Sequence, residues 1–370
     1  MYHADTPYMT KLSAELLPLL SLCVPGANRS IAEEDAQNLM YLIQRHRLLP
    51  LIAKYSLSLL PASIQDKVKR RAVANQQQML RLSAEMLRID GVVSKANISA
   101  LFIKGPVLAY MLYGDSTMRQ SRDIDILVPP DKVMPCIRLL RTNGYICELT
   151  EKDIQRLMQG PYHTINLRHA QLNVTLELHW RFFANAAYIP FALQQPWSNV
   201  CTTQMEGHPI HVVEERQHIL YLFMHGSLHA WSELAWLSDI RQLLLTRNDF
   251  FNSVFLLWLK EQNMELPVLL GIYLVHIIWG IEISDMLQEP INIHISKLKR
   301  LAHFCVKAIH SDQRETAVFR IRKIFFHMQL RKGIYYKIQC IISRLPRVLK
   351  LIDTIYHKKR RFFDVKRSKQ

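Results

Sequence analysis

Residues 123–128 read DIDILV. Strand side chains alternate between two faces, so Asp123, Asp125 and Leu127 share one side and Ile124, Ile126 and Val128 the other. The apolar side demands a core. The other side then carries two like charges, at i and i+2, on a half-buried surface. Both can stay ionised there only at considerable cost unless a cation stands between them. A divalent magnesium ion, which takes carboxylate oxygens together with substrate phosphates, meets that requirement.

A third carboxylate follows downstream. In VTLELHW, residues 174–180, Thr175, Glu177 and His179 share one face, and Val174, Leu176, Leu178 and Trp180 the other. If this strand lies beside the first, Glu177 completes a three-carboxylate site for one or two metals. Two ions about 4 Å apart would stabilise both the attacking and the leaving oxygen of an in-line displacement at phosphorus. Upstream, FIKGPVLAY puts Gly105 between a strand and a helix start. Glycine allows close backbone approach, and the free amides of a helix N-terminus favour anions. Lys104, Arg119 and Arg122 stand near enough in sequence to neutralise a triphosphate.

The surrounding chain changes texture twice. Residues 1–98 read as helical. Ser30 and Glu33 form a capping-box pattern before Leu39, Leu42 and Ile43, which recur at helical spacing. A long helix from Gln76 is expected to end near Gly91. From residue 99 short elements alternate: SALFIKG as strand, PVLAYMLYG as helix with Pro106 at its first position, DIDILV as strand. DKVMPCIRLLRTNGY then reads as a helix stopping at Asn143-Gly144. Two more strands, HTINLRH and LNVTLELHWRF, flank a turn at Ala170-Gln171. After Glu214 the pattern is helical again, and EERQHILYLFMHGSLHAWSELAWLSDIRQLLL is long enough for two helices. The expected organisation is α+β: a small mixed-sheet domain at 99–213, helical regions at 1–98 and 214–345, and a basic tail at 346–370.

Composition narrows the class. Of 370 residues, 49% are hydrophobic and 21% charged, which suits a globular chain. The six cysteines are scattered with no C-x-x-C pair. That argues against a zinc knuckle or a disulfide framework and fits a reducing cytosol. MYHADTPYMTK has no basic leader and does not read as a signal peptide. The longest uncharged run, LPVLLGIYLVHIIWGI between Glu265 and Glu282, is short for a membrane span and reads as a buried helix. Charge is uneven. From Lys297 onward there are 21 basic and four acidic residues, so the whole excess of +16 lies in the last fifth. That points to a polyanionic partner, with a solvated face of amphipathic helices, nucleic-acid binding and membrane-surface association all open.

A glycine-ended strand, a helix, D-h-D on the next strand and an acid on a later one resemble the DNA polymerase β-like nucleotidyltransferase superfamily. More narrowly, LFIKGPVLAYMLYGDSTMRQSRDIDILV, LELHWRF and HGSLHAWSELAWLSDI are similar to an uncharacterised bacterial nucleotidyltransferase family, over roughly residues 40–345. Lys104-Gly105 departs from the superfamily's usual Gly-Gly or Gly-Ser pair. The resemblance implies a cytoplasmic, magnesium-dependent enzyme. It would move a nucleoside monophosphate from ATP or another nucleoside triphosphate to an acceptor, with release of pyrophosphate. Asp123, Asp125 and Glu177 would be catalytic and metal-binding, and Lys104, Gly105, Arg119, Ser121 and Arg122 would hold the nucleotide. A small-molecule or peptide acceptor is favoured over RNA, and the tail would meet a polyanion.

His179, His225, His229 and Asp239 are candidates for a substrate wall. His225 and His229, one turn apart, also have metal-ligand spacing, but Gly226 stands where a zinc-protease helix would carry Glu. For Asp239, contact with an amine or a ribose and a plain pairing with Arg241 are both open, and Trp231, Leu234 and Trp236 read as core. Two rival functions stay open: a toxin-like transferase modifying tRNA or protein, and a non-catalytic binding module on the same fold.

Overall fold

In a computed structural model of the chain, residues 16–185, 188–310 and 316–344 are described. The tail expected at 346–370 lies outside them, as do residues 1–15.

Among the described residues four α-helices precede the sheet: α1 (Leu16–Leu22), α2 (Ala36–Arg45), α3 (Leu49–Tyr55) and α4 (Ala62–Lys95). Leu39, Leu42 and Ile43 bury one side of α2, as their spacing requires. The capping box does not form. A 3-10 turn, Glu33–Asp35, leads into α2, and its Asp35 N-cap makes no side-chain cap. Glu33 instead accepts the Ser63 amide of α4's first turn at 3.3 Å, so the carboxylate serves the free donors of a different helix. The expected stop near Gly91 is also wrong. Gly91 lies exposed with nothing near it, while Ile89 and Val93 keep α4 packed on either side. The chain turns at Asn97, at φ 53°.

Seven strands make one mixed sheet: β1 (Leu101–Phe102), β2 (Asp123–Leu127), β3 (Tyr145–Ile146), β4 (Thr164–His169), β5 (Thr175–His179), β6 (Val200–Met205) and β7 (His208–Val213). Their order is β3-β4-β5-β2-β1-β7-β6. The β2–β5 and β1–β7 pairs are parallel and the others antiparallel. Helix α5 (Gly105–Tyr113) follows β1 directly, with Pro106 in its first turn and Gly114 closing it in the left-handed region. Helices α6 (Val133–Thr142) and α7 (Glu151–Gln159) complete the unit. Hairpin β6–β7 turns at Glu206-Gly207, both at positive φ, as a two-residue hairpin turn prefers.

The two sheet faces join different cores. Ile124, Ile126, Leu176 and Leu178 pack with Met86 and Ile89 of α4 and Val133 and Ile137 of α6. Leu101, Ile103 and Leu127 point the other way, into the cluster that α1–α3 and the C-terminal helices build together. The carboxylate face therefore looks toward those helices.

The long run after Glu214 does split, into α8 (Glu215–Leu228) and α9 (Leu234–Thr246), followed by α10 (Ser253–Glu261), α11 (Glu265–Trp279), α12 (Asp285–His310), α13 (Ala317–Leu330) and α14 (Ile334–Ile342). Helix α11 carries the long uncharged run and is buried along most of its length. Among the described residues no helix is long and apolar enough to cross a membrane.

Trp231 makes the break between α8 and α9. Its φ is 51°, its side chain is fully buried, and its amide donates to the Gly226 carbonyl at 2.8 Å. Two glycines make room for the indole. A Cβ on Gly226 would run into the ring, and one on Gly271 of α11 would meet it at 2.8 Å. Space for Trp231 thus explains the glycine where the zinc motif would need Glu.

Gly226→Ala should therefore cost about 1–3 kcal/mol, the usual penalty of overpacking a filled core. Chemical denaturation would read it, and an unchanged midpoint would show that the indole has room to move.

Candidate functional site

The parallel pairing of β2 with β5 sets Asp125 directly across from Glu177, with Asp123 opposite Thr175 and Leu127 opposite His179. On the far side of β5, Asn166 of β4 stands across from Glu177. Three carboxylates thus share one face of two neighbouring strands. They are not equally placed. Asp125 is buried, while Asp123 and Glu177 are half-buried.

Two cationic groups answer them. The His179 Nε2–H donates to Asp125 Oδ1 at 3.2 Å and lies 3.5 Å from Glu177 Oε2. Lys104 Nζ sits 3.6 Å from Asp125 Oδ1 and 5.3 Å from the centroid of the Tyr221 ring. Burial opposes the charge on both cations. The Asp125 and Glu177 carboxylates outweigh it at His179, whose pKa is raised, and Asp125 first of all does so at Lys104, whose pKa is also raised. Burial likewise pushes Asp125 up, but Lys104 and then His179 hold it well below the usual carboxylate range. The hydrogen bond from His179, working against burial, lowers Glu177 as well. Asp123 goes the opposite way. Burial, then the charges of Asp125 and Glu177, raise its pKa, against the Ser121 hydrogen bond. A neighbouring histidine, His163, packs edge-on to His179 with centroids 5.5 Å apart, and burial lowers its pKa to about 4.

The start of α5 closes one end of this face. Gly105 has φ 63°, a conformation open to glycine at little cost. A Cβ there would lie 3.4 Å from the Asp123 carbonyl and 3.6 Å from Ser121 Oγ. Ser121 Oγ in turn donates to Asp123, through its carbonyl at 3.1 Å or its Oδ1 at 3.2 Å. Arg122, one residue before β2, is exposed.

Arg119 and Asp239 sit apart from the carboxylates and bind each other. The guanidinium forms a two-pronged pair with the buried Asp239, at 2.9 and 3.1 Å, and Tyr113 Oη donates to the same carboxylate at 3.2 Å. Asp239 thus takes Arg119 and Tyr113 as partners rather than Arg241, which ties the end of α5 and the loop before β2 to α9. His225 and His229 pack against each other, tilted at 49° with centroids 4.7 Å apart, and each meets Trp236, at 5.3 and 5.1 Å. Trp236, read as core, is in fact half-buried in this group. Among the described residues, no third ligand-type side chain joins the two histidines into a metal-holding group.

Sequence reasoning missed Tyr221, His218, His163 and Asn166. The first two were findable. His218, Tyr221, His225 and His229 recur at i, i+3, i+7 and i+11, one side of α8. Tyr221 lies under Lys104, and His218 Nε2 donates to the Ile103 carbonyl at 2.9 Å, fixing the backbone just before that lysine. His163 and Asn166 depend on β4 pairing with β5, which no local pattern shows.

Ligand atoms of Asp125, Glu177 and His179 all lie within 4.8 Å of one another. Two carboxylates and an imidazole suit a divalent ion, with the oxygens fitting magnesium and the nitrogen also suiting manganese. Asp123 stands outside that tight group, on the same face one pleat away. The residues present fit a metal, though it would have to displace the His179 proton.

Beyond this geometry, a model of the family described as "Uncharacterised nucleotidyltransferase" matches residues 32–280. Among solved structures, the chain is similar to an antigenic nucleotidyltransferase-like protein from Paracoccidioides brasiliensis. The identity is 14%, over 62% of this chain and 93% of that one, with a TM-score of 0.31. No curated protein matches.

The opposite shifts of the two aspartates separate their variants in metal-free protein. Asp123→Asn removes a strained charge and should raise the thermal midpoint near neutral pH. Asp125→Asn strips two buried cations of their partner and should cost about 3 kcal/mol. Equal shifts for both would contradict the assignment. A raised His179 pKa also means that its contribution to stability is complete below its unfolded value and is lost as pH rises through the folded one. Metal binding must release that proton, so manganese affinity by calorimetry should climb across the same window. A pH-independent affinity would place the ion elsewhere.

Proposed function

Because the chain belongs to the uncharacterised nucleotidyltransferase family, we propose that it is a magnesium-dependent enzyme of the polymerase β-like superfamily. It would transfer a nucleoside monophosphate from ATP or another nucleoside triphosphate to an acceptor and release pyrophosphate. The observation that carries this reading is the shared face of Asp123, Asp125 and Glu177 on two adjacent parallel strands, beside the N-terminus of α5. A bound magnesium ion would neutralise the triphosphate and raise the electrophilicity of its α-phosphorus.

Asp125 and Glu177 would hold the ion, with Asp123 completing the set. Gly105 lets the triphosphate approach the first turn of α5, and Lys104 and Arg122 supply positive charge. Ser121 fixes the Asp123 backbone and carboxylate. Arg119 acts indirectly, anchoring the loop between α5 and β2 to Asp239 of α9. The attacking acceptor oxygen or nitrogen bonds to the α-phosphorus as the bond to the bridging oxygen breaks. Asp123, the carboxylate of raised pKa, takes the acceptor's proton. The catalytic unit corresponds to 99–213, and the helical region 214–345 walls the acceptor side with His225, His229 and Trp236. A small molecule or a peptide suits that wall. Six free cysteines agree with a reducing bacterial cytoplasm.

One observation favours the rival, a non-catalytic binding module. His179 and Lys104 already compensate Asp125 and Glu177 without a metal. Turnover decides between the two. Pyrophosphate release, or label transfer from α-labelled ATP to a peptide or small-molecule pool, should require magnesium or manganese. It should fall at least about a thousandfold in the Asp123→Asn, Asp125→Asn double variant with the circular dichroism unchanged. Metal-independent or undiminished transfer would remove these residues from the chemistry.

A further inference from the structure

The C-terminal hairpin α13–α14 is apolar on the wrong side. Its inner face is conventional, with Ile324, Phe326, Leu330, Tyr336 and Cys340 buried. Its outer face should then be polar, and it is not. On α13, Val318, Ile321 and Phe325 recur at i, i+3 and i+7, one helix stripe, with Phe325 60% exposed. On α14, Ile334, Ile338 and Ile341 recur at i, i+4 and i+7, and Ile334 is 74% exposed. Tyr335 and Ile342 add to the same short helix, at 65% and 58%. Single exposed apolar residues are ordinary, but eight within 25 residues on two packed helices are a concentration that calls for a partner.

The hairpin's own charge has one sign. Residues 316–344 contain seven Lys and Arg and no Asp or Glu. Lys297 and Arg300 of α12 join Lys332 and Lys337 there. Burial, then the charges of Lys337, Arg300 and Lys332, lower the Lys297 pKa, so positive charge gathers around this lysine. A polyanion relieves that crowding. The aliphatic content chooses among polyanions. Isoleucine and valine offer no ring for a base to stack on, so single-stranded nucleic acid would leave most of the stripe unused. A second copy of the chain would set basic surface against basic surface.

We propose that the α13–α14 hairpin is a docking surface for an anionic lipid bilayer, with its isoleucine, valine and Phe325 side chains entering the headgroup–acyl boundary and its lysines and arginines on the lipid phosphates. The helices lie in the plane of the interface rather than across it, as amphipathic interfacial helices do. Apolar insertion and electrostatic attraction act together, and the attraction depends on anionic headgroups. The surface is separate from the β2–β5 carboxylates, so the proposal stands or falls independently of the transfer chemistry.

Vesicle flotation of the full chain tests it. Phosphatidylcholine vesicles carrying about one-third phosphatidylserine should carry at least about tenfold more protein than pure phosphatidylcholine vesicles. The double variant Ile334→Ser, Ile338→Ser keeps every charge on a solvent-facing side of α14. It should lose about tenfold or more of that binding, with unchanged circular dichroism and thermal midpoint. Lys332→Glu with Lys337→Glu should lose it as well, and the conservative Lys332→Arg, Lys337→Arg should keep it. Several results would overturn the proposal. One is equal binding by the isoleucine variant, or loss of binding only when residues 358–361 (KKRR) are changed to glutamine, which would put the affinity in the tail. Another is tight binding of single-stranded RNA without vesicle binding. The last is a wild-type dimer that the isoleucine variant turns into a monomer.

Discussion

Three carboxylates on one sheet face are a problem that the fold must solve, and much of the architecture is arranged around the solution. Asp125 and Glu177 face each other because β2 and β5 run parallel in one register. Their mutual repulsion is offset by His179, two residues along the same strand as Glu177, and by Lys104, at the junction of β1 and α5. Lys104 is itself held from beneath by Tyr221 and from behind by His218 on the Ile103 carbonyl. The helical region is thus coupled to the chemistry of the sheet through one lysine. The cations that stabilise the metal-free form are the groups a bound ion would compete with, so metal and proton occupancy are linked at this site.

The same coupling gives Trp231 a functional consequence. Its indole occupies the space left by Gly226 and Gly271 and fixes where α8 breaks. Helix α8 carries Tyr221 to Lys104 and His225 to the Trp236 group. Asp239 of α9 then holds Tyr113, in the last turn of α5, and Arg119, in the loop that leads to β2. Buried two-pronged pairs of this kind give strict geometry more surely than net stability.

Local periodicity made much of this visible in advance. The alternation in DIDILV and VTLELHW placed Asp123, Asp125 and Glu177 on one face, and Pro106 and Gly114 bounded α5 correctly. The break between α8 and α9 was also legible, because a 32-residue run exceeds an ordinary helix. What failed were the contacts that sequence spacing does not encode. Glu33 reaches across to α4 instead of capping its own helix, and α4 runs past Gly91 because its neighbours remain buried. The location of His179 between the carboxylates follows only from strand register. Arg119 read as a phosphate ligand from its nearness to Asp123 in sequence, whereas the fold brings it to Asp239, 120 residues away. The hairpin β6–β7 joins the far edge of the sheet through a parallel pairing with β1, another long-range choice.

A crystal structure of the full chain with manganese and a non-hydrolysable nucleoside triphosphate would test the central claim most directly. The account predicts an anomalous peak about 2.1 Å from carboxylate oxygens of Asp125 and Glu177. The triphosphate should lie against the first turn of α5, and His179 should have released Asp125. An ordered nucleotide bound elsewhere, or no ion on the sheet face while His179 and Lys104 still hold Asp125, would contradict it.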